Sequence, residues 1–207
     1  MKEYLTVQSY TEETEIRRSL FIGEVRRVRN EDEFFSELNA IRKKYSDATH
    51  VCYGAIFDTL GNCARFSDDG EPSGTAGQPI LEALKASELK ETLVAVVRYF
   101  GGVKLGAGGL VRAYSSSASS ALRNASKIRF SPCDLYTLSL DYAKSKRAPV
   151  YFEKNGIDKL SVVYGTQVEY KLAVPSGREI GQLMSEFVGG QPDLTFDGTE
   201  YVQKNEN

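Results

Sequence analysis

The clearest pattern in the chain is an unbroken apolar segment, Leu93–Val97, followed by a glycine-rich segment and then by apolar residues at helical spacing. The apolar segment lacks polar alternation and is rich in β-branched residues, which is typical of a strand buried on both faces. After the glycines, Leu110–Ala125 contains neither proline nor glycine. The pattern therefore predicts a buried strand, a glycine loop and a helix.

Strand and helix patterns also alternate before this unit. A strand is predicted at Leu20–Val28, and Asn30 and Glu33 are the expected capping pair of the helix that follows. The apolar face of that helix consists of Phe34, Leu38, Ile41 and Tyr45. Val51–Asp58 and Cys63–Ser67 flank a turn and are expected to form a hairpin.

The segment Ser67–Pro79 is a loop by composition, and Pro79 is the expected first-turn residue of a helix that extends to Leu89. The first part of the chain thus runs strand, helix, hairpin, helix, strand, helix. This order is typical of the α+β class.

Ser131–Pro132–Cys133 breaks the pattern, and a second series of elements follows it. Strands are predicted at Leu135–Tyr142, Val162–Tyr164, Gln167–Val174 and Leu194–Val202, and helices at Ala148–Lys154 and around Ile180–Phe187. The order βαββαβ predicts a ferredoxin-like domain. We therefore expect two domains, residues 1–133 and residues 134–207.

Composition and charge indicate an ordinary globular protein. The 207 residues carry a net charge of −2, so any basic surface must be local. Five arginines between Arg17 and Arg29 are expected to face solvent. The first residues lack an apolar signal core and a membrane-spanning run, which favours the cytoplasm and no membrane contact.

The three cysteines are predicted to be reduced thiols. Cys52, Cys63 and Cys133 are odd in number and lack CxxC spacing, which argues against a disulfide framework and a zinc site. Cys52 lies in an apolar run and is expected to be a small buried hydrophobic residue rather than a nucleophile.

Five glycines are concentrated between the predicted strand and helix: Gly101, Gly102, Gly106, Gly108 and Gly109. The first N–H groups of a helix lack intrahelical partners, so this loop can seat a phosphate or carboxylate, with Lys104 and Arg112 adding full charge. The spacing fits neither a Walker loop nor a dinucleotide-binding fingerprint. Alternatively, the glycines form a tight turn and let Ser115–Ser120 pack closely on the sheet. Anion binding and this structural role are compatible with each other.

Catalytic groups are scarce in the sequence. His50 is the only histidine, and no triad is indicated. Three acidic residues can hold a magnesium ion or, more commonly for such a loop, cap turns and face water: Asp68, Asp69 and Glu71. The residues after them can supply hydroxyl and N–H groups to an anion: Ser73, Gly74 and Thr75. No catalytic residue, metal ligand or cofactor is assigned.

Three segments resemble the signature motifs of one protein family. They are Ala48–His50, Arg65–Ile80 (RFSDDGEPSGTAGQPI) and Arg98–Ser115 (RYFGGVKLGAGGLVRAYS). They are similar to the motifs of the IMPACT family, in its bacterial YigZ branch, over about residues 15–126. The tail from about Leu135 to Val202 resembles the small C-terminal domain of that branch. Leu20 and Val51 depart from the family pattern, which commonly has arginine and asparagine there.

The resemblance implies a first domain similar to the ribosomal-protein-type fold that also occurs in domain IV of elongation factor G. The second domain would be similar to the ferredoxin-like domain V of that factor. Eukaryotic members of the family regulate translation by binding a protein partner on the starvation-kinase pathway. For the bacterial branch, binding to RNA or the ribosome is the expectation, by analogy of fold.

The residues and the resemblance together favour a cytoplasmic, non-catalytic regulator of translation that binds RNA or the ribosome. The expected nucleic-acid contacts are Arg65, Arg98, Lys104 and Arg112. One alternative is an enzyme that binds a small-molecule phosphate or a nucleotide, because the first domain would also be similar in fold to small-molecule kinases. The other alternative is a protein-binding adaptor.

Overall fold

The apolar segment Leu93–Val97 lies in β6 (Thr92–Tyr99), the central strand of a five-stranded antiparallel sheet in the computed structural model, which describes residues 1–204. Alternate side chains of the segment belong to different cores. Val94 and Val96 pack on one face of the sheet, and the other three residues pack on the opposite face. The prediction of a strand buried on both faces is confirmed.

Four strands complete this sheet in the order β2-β3-β6-β4-β5. They are β2 (Tyr10–Ile16), β3 (Ser19–Arg27), β4 (His50–Ile56) and β5 (Ala64–Ser67), and a short strand, β1 (Tyr4–Val7), precedes them. The predicted hairpin is confirmed, because β4 and β5 pair in antiparallel register.

Neither β1 nor β2 is predicted by the apolar pattern. β2 has the sequence YTEETEI and lies at the edge of the sheet, where all of its residues are exposed or half-buried. An edge strand tolerates charged residues because one side of it has no neighbouring strand to pack against. The apolar pattern therefore does not predict β2, which forms by pairing with β3.

Three helices cover the sheet. α1 (Glu31–Lys44) packs on one face, and α2 (Gly77–Ala86) and α3 (Ala107–Asn124) pack on the other. The predicted cap of α1 is confirmed, because the Glu33 N–H donates to Asn30 Oδ1 at 2.9 Å. No helix within residues 1–204 is long and apolar enough to cross a membrane.

The ends of α2 and α3 differ from the predicted ends. Pro79 lies in the first turn of α2 as predicted, but the helix stops at Ala86 instead of Leu89. Glu88 has a φ of 59°, a left-handed conformation that a right-handed helix cannot contain. α3 begins earlier than predicted, because Gly108 and Gly109 are part of its first turn.

The chain divides into two compact units, Tyr4–Arg129 and a second unit that, among the described residues, consists of Met1–Glu3 and residues 130–204. Apart from the first three residues of β7, the second unit contains β7 (Lys127–Leu140), α4 (Tyr142–Ser145), α5 (Ala148–Lys154), β8 (Asp158–Tyr164), β9 (Val168–Pro175), α6 (Gly181–Val188) and β10 (Asp193–Lys204). The strands are ordered β8-β9-β7-β10, which with the chain order gives the ferredoxin-like arrangement. The α+β class and the two-domain organisation are confirmed.

The segment Ser131–Pro132–Cys133 does not break the pattern as predicted, because β7 continues through it. Proline cannot donate to a neighbouring strand. Pairing of β7 with β9 starts at Cys133, opposite Pro175, and Pro132 only accepts a hydrogen bond, from the Ser176 N–H at 3.1 Å. At position 132 the backbone only accepts a hydrogen bond, so the missing N–H group of proline costs the strand no interaction.

α2 packs against the sheet through a glycine on β4. A Cβ atom added to Gly54 would lie 2.7 Å from the Leu81 nitrogen and 2.8 Å from the Leu81 Cα. Both are backbone atoms, which cannot rotate away as a side chain can. The distance between β4 and α2 therefore depends on the absence of a side chain at Gly54.

Replacing Gly54 with alanine is expected to lower the free energy of unfolding toward the upper end of the roughly 1–3 kcal/mol typical of overpacked cores. The matched control is G108A, because a Cβ atom there would meet only the flexible Arg112 side chain, at 3.6 Å. Alanine is the better helix former, so G108A should be neutral or slightly stabilising. Urea denaturation followed by circular dichroism would measure both, and equal midpoints would contradict the packing argument.

Candidate nucleic-acid interface

A buried ion pair connects the acidic loop to the central strand. Glu71 follows β5 and Arg98 lies near the end of β6, and the Arg98 Nη1 donates to Glu71 Oε1 at 2.6 Å. The Tyr114 hydroxyl, from α3, donates to the same oxygen at 2.7 Å. Burial raises the pKa of Tyr114, so the hydroxyl keeps its proton as a donor. One carboxylate thus joins a loop, a strand and a helix.

His50 lies at the edge of this buried group. Its Nδ1 is 2.8 Å from the Asp69 carbonyl oxygen, which can only accept, so Nδ1 carries a proton. Its Nε2 is 3.9 Å from Glu71 Oε1. The Asp69 side chain in turn accepts the Val51 N–H at 2.7 Å, which ties the acidic loop to β4. His50 therefore helps to hold the loop, and no nucleophile among residues 1–204 is paired with it.

Asp68 organises the loop that leads into α2. Its carboxylate accepts three backbone N–H groups, from Gly74, Ala76 and Gly77, each at 2.9 Å. Burial by itself would raise the pKa of Asp68, but these hydrogen bonds outweigh it and lower the pKa below its usual 3.8. The Asp68 side chain thus caps the start of α2, although it lies eight residues before Ala76 in sequence. Short capping patterns do not predict such a contact.

The acidic loop was a candidate for magnesium, and its three carboxylates accept hydrogen bonds from the protein itself. Within residues 1–204, no group of three or more histidine, cysteine, aspartate or glutamate residues is arranged to hold a metal ion. Thr75 is buried and its hydroxyl donates to the Pro72 carbonyl at 2.6 Å, and the Gly74 N–H donates to Asp68. Of the three residues proposed to bind an anion here, only Ser73 presents an exposed hydroxyl.

Cys52 is buried beneath this loop, as predicted, and its Sγ donates to the Asp68 carbonyl oxygen at 2.9 Å. Burial raises the pKa of the thiol to about 12. A thiol is a nucleophile only as thiolate, so Cys52 has a structural role.

The glycine loop combines a close approach with unusual backbone conformations. A Cβ atom on Gly101 would lie 1.8 Å from the Arg18 carbonyl oxygen, so only glycine fits there. Gly102 and Gly106 have φ of 81° and 70°, which other residues rarely adopt. Gly106 precedes α3 directly, and no side chain within residues 1–204 caps that helix. The loop therefore requires glycine at these positions, and Ala107 and Gly108 at the start of α3 are exposed residues.

Beside this loop, the β2–β3 hairpin turns through two arginines. Arg17 and Arg18 are the central residues of a two-residue turn between Ile16 and Ser19, with φ of 47° and 65°. Such a turn normally contains asparagine or glycine, because other residues are strained at positive φ. Both arginine side chains are exposed.

A groove of about 580 Å³ lies between this turn and α3. Its polar lining comes from Arg17, Arg112, Ser115 and Ser116, and Leu105 and Gly109 connect it to the glycine loop. No acidic residue in the described part of the chain lines the groove. The groove therefore presents guanidinium and hydroxyl donors to whatever enters it.

The four basic residues that the sequence predicts to contact nucleic acid fall into two groups, two in ion pairs and two exposed without one among residues 1–204. Arg98 is 5% exposed and is neutralised by Glu71, so its guanidinium does not reach the surface. Arg65, on the edge strand β5, pairs with Glu31 of α1. Lys104 and Arg112 are exposed at the start of α3.

Sequence reasoning missed the part played by the arginine turn. The sequence shows the run of arginines near the start of the chain, but it does not show which of them form ion pairs. Arg26, Arg27 and Arg29 form ion pairs with glutamates, whereas Arg17 and Arg18 lie in the turn. The sequence pattern does not show this difference, because β2 has no apolar pattern and Arg26 and Arg27 are adjacent just as Arg17 and Arg18 are.

The fold and the site define an α+β, two-domain protein in which a buried carboxylate–guanidinium pair supports a glycine loop and a basic groove. The family described as the Impact N-terminal domain matches residues 17–122. IMPACT family member YvyE of Bacillus subtilis is 33% identical over the whole of this chain and 97% of its own length. IMPACT family member YigZ of Escherichia coli is 38% identical over 130 residues, which are 62% of this chain and 64% of that protein.

A solved structure described as the crystal structure of an hypothetical protein is 30% identical, with a TM-score of 0.64, and the match covers 94% of this chain and 97% of that one. The chain belongs to the IMPACT family. The resemblance inferred from the sequence motifs is thereby confirmed.

Replacing Glu71 with glutamine should cost about 3–5 kcal/mol of the free energy of unfolding, because it leaves the Arg98 cation buried without a counter-charge. The control is E31Q, which removes the charge from an exposed Arg–Glu pair and should cost no more than about 1 kcal/mol. Urea denaturation of the two variants would measure the difference. A similar small effect for both would mean that the buried pair does not support the loop.

The lowered pKa of Asp68 predicts a pH dependence of stability. The folded protein holds the carboxylate ionised at pH values where the unfolded chain is protonated, so the stabilisation is complete above about pH 4 and is lost as the pH falls through the folded pKa. D68N should therefore be less stable than the wild type at pH 7 and should show a smaller loss of stability below pH 4. Thermal unfolding at pH 7 and pH 3 would test this, and parallel losses in both proteins would contradict it.

Proposed function

We propose that the protein is a cytoplasmic regulator of translation that binds RNA or the ribosome without catalysing a reaction. RNA phosphates would contact the groove between the arginine turn and α3. The proposal rests on four exposed basic side chains that form no ion pair with any residue from 1 to 204: Arg17, Arg18, Lys104 and Arg112. Arg17 and Arg112 line the groove, and Arg18 and Lys104 are next in sequence to lining residues.

Elsewhere in the first unit, most arginines have acidic partners within the protein. Arg27, Arg65 and Arg98 pair with Glu91, Glu31 and Glu71. These pairs cancel charge locally, whereas the groove keeps its charge although the chain as a whole is slightly acidic. Polyanionic RNA is attracted by such a local basic surface, because phosphate contacts release condensed counterions.

The groove also has the donors that phosphates need. Ser115 adds a hydroxyl group, whereas the Ser116 hydroxyl donates to the Ala113 carbonyl at 3.1 Å. No side chain within residues 1–204 caps the first N–H groups of α3. Phosphate recognition needs charge and hydrogen-bond donors rather than a nucleophile and a base. This fits a molecule in which the Cys52 thiol, His50 and the acidic loop are committed to internal contacts.

Replacing Arg112 with alanine should weaken RNA binding and reduce the slope of log K against log salt concentration by about 0.7–0.9, because the variant neutralises one phosphate fewer. The matched control is R123A, an exposed arginine on the same helix, about 16 Å farther along it at 1.5 Å per residue. Fluorescence anisotropy with labelled ribosomal RNA fragments over a series of salt concentrations would measure both variants.

Unchanged affinity for R112A, or an equally weakened affinity for R123A, would remove the groove from the proposal. If the wild-type protein binds none of the fragments even at low salt, the proposal of RNA binding fails. A partner protein or a nucleotide would then be the ligand to seek, by pull-down after nuclease treatment and by thermal-shift screening.

A further inference from the structure

An aromatic side chain lies next to the basic groove. Phe100 follows β6 and is 47% exposed, whereas the neighbouring Phe21 is fully buried. The Arg98 guanidinium is 5.4 Å from the centroid of each of these two rings. The buried cation therefore lies against Phe100 from within the protein, and the remaining surface of the ring faces solvent.

The position of Phe100 is fixed by its neighbours. Its N–H donates to Thr49 Oγ1 at 3.0 Å, and the next residue, Gly101, donates to Ser19 Oγ at 3.3 Å. Arg98 is itself held by Glu71. A ring on so constrained a backbone loses little conformational freedom when a ligand stacks on it, which favours binding.

Phe100 and the arginine turn are next to each other. The Gly101 Cα faces the Arg18 carbonyl closely enough to exclude a Cβ atom, so the residue that follows Phe100 is in contact with the turn. The backbone that carries the exposed ring is thus adjacent to the turn that supplies Arg17 to the groove. Aromatic rings interspersed with basic side chains are the arrangement that binds unpaired bases and the backbone that links them.

We propose that this surface binds single-stranded nucleic acid, with one base stacked on Phe100 and the adjoining phosphates at the arginine turn and the groove. The inference rests on the proposed function and narrows its ligand class. Bases in a duplex are stacked on each other and cannot lie on a protein ring, so a stacking site selects unpaired strands. Arg98, although buried, acts as a positioning residue for the ring.

The test compares a labelled single-stranded RNA 12-mer with the duplex formed by the same strand and its complement. The wild-type protein should bind the single strand more tightly. F100L should weaken single-strand binding about five-fold to one hundred-fold, the range typical of removing one base-stacking aromatic ring. Its salt slope should stay that of the wild type because no charge is removed.

The control is F66L, which changes a phenylalanine of similar exposure, 49%, on the edge strand β5 away from the groove. It should leave binding unchanged. F100W should retain affinity, and it supplies a direct signal because the chain contains no tryptophan. Stacking of a base on the new indole should quench its fluorescence on addition of the single strand and leave it unaltered on addition of the duplex.

The outcomes separate the two proposals. If the wild type binds single strand and duplex equally, or if F100L binds as the wild type does, the stacking inference is overturned while phosphate binding stands. If neither nucleic acid binds, the proposed function fails and takes the inference with it. If F100L loses affinity but F100W binds without quenching, Phe100 supports the loop and does not contact a base, which also overturns the inference.

Discussion

The buried contact between the Glu71 carboxylate and the Arg98 guanidinium is the constraint on which the rest of the first unit depends. Two opposite charges removed from water are tolerated only when they are close and further hydrogen-bonded. Tyr114 and Ser19 supply those extra bonds and bring α3 and the start of β3 to the same point. Segments that are far apart in sequence are thereby held in one arrangement, on which the glycine loop and the acidic loop are built.

This constraint divides the basic residues into two groups. Arg98 is buried, and its charge is paired with Glu71, which holds the acidic loop against β6. The residues around the arginine turn and the start of α3 keep their charge at the surface. A surface whose backbone is already fixed loses little entropy when it engages a ligand, so in the proposed function the buried pair would contribute to binding without touching the nucleic acid.

The sequence predicts those features that depend on near neighbours. The apolar run of β6, the helical spacing of α3 and the Asn30 cap of α1 all follow from local chemistry. The apolar pattern misses β2 because an edge strand need not be apolar. It also cannot show that Arg98 is buried, that Asp68 caps a helix eight residues away in sequence, or that Arg17 lines the groove, because these depend on tertiary contacts. The family motif brought the relevant segments together but did not assign their roles.

In the arginine turn, the residues that supply surface charge are not those that the backbone conformation favours. Asn-Gly in the place of Arg17 and Arg18 would suit the positive φ angles better and would make a more stable hairpin. It would also delete two cations from the rim of the groove. Selection for stability alone would therefore replace this pair of arginines, so under the proposed function a relative with Asn-Gly in the turn should have a more stable hairpin and a weaker affinity for nucleic acid.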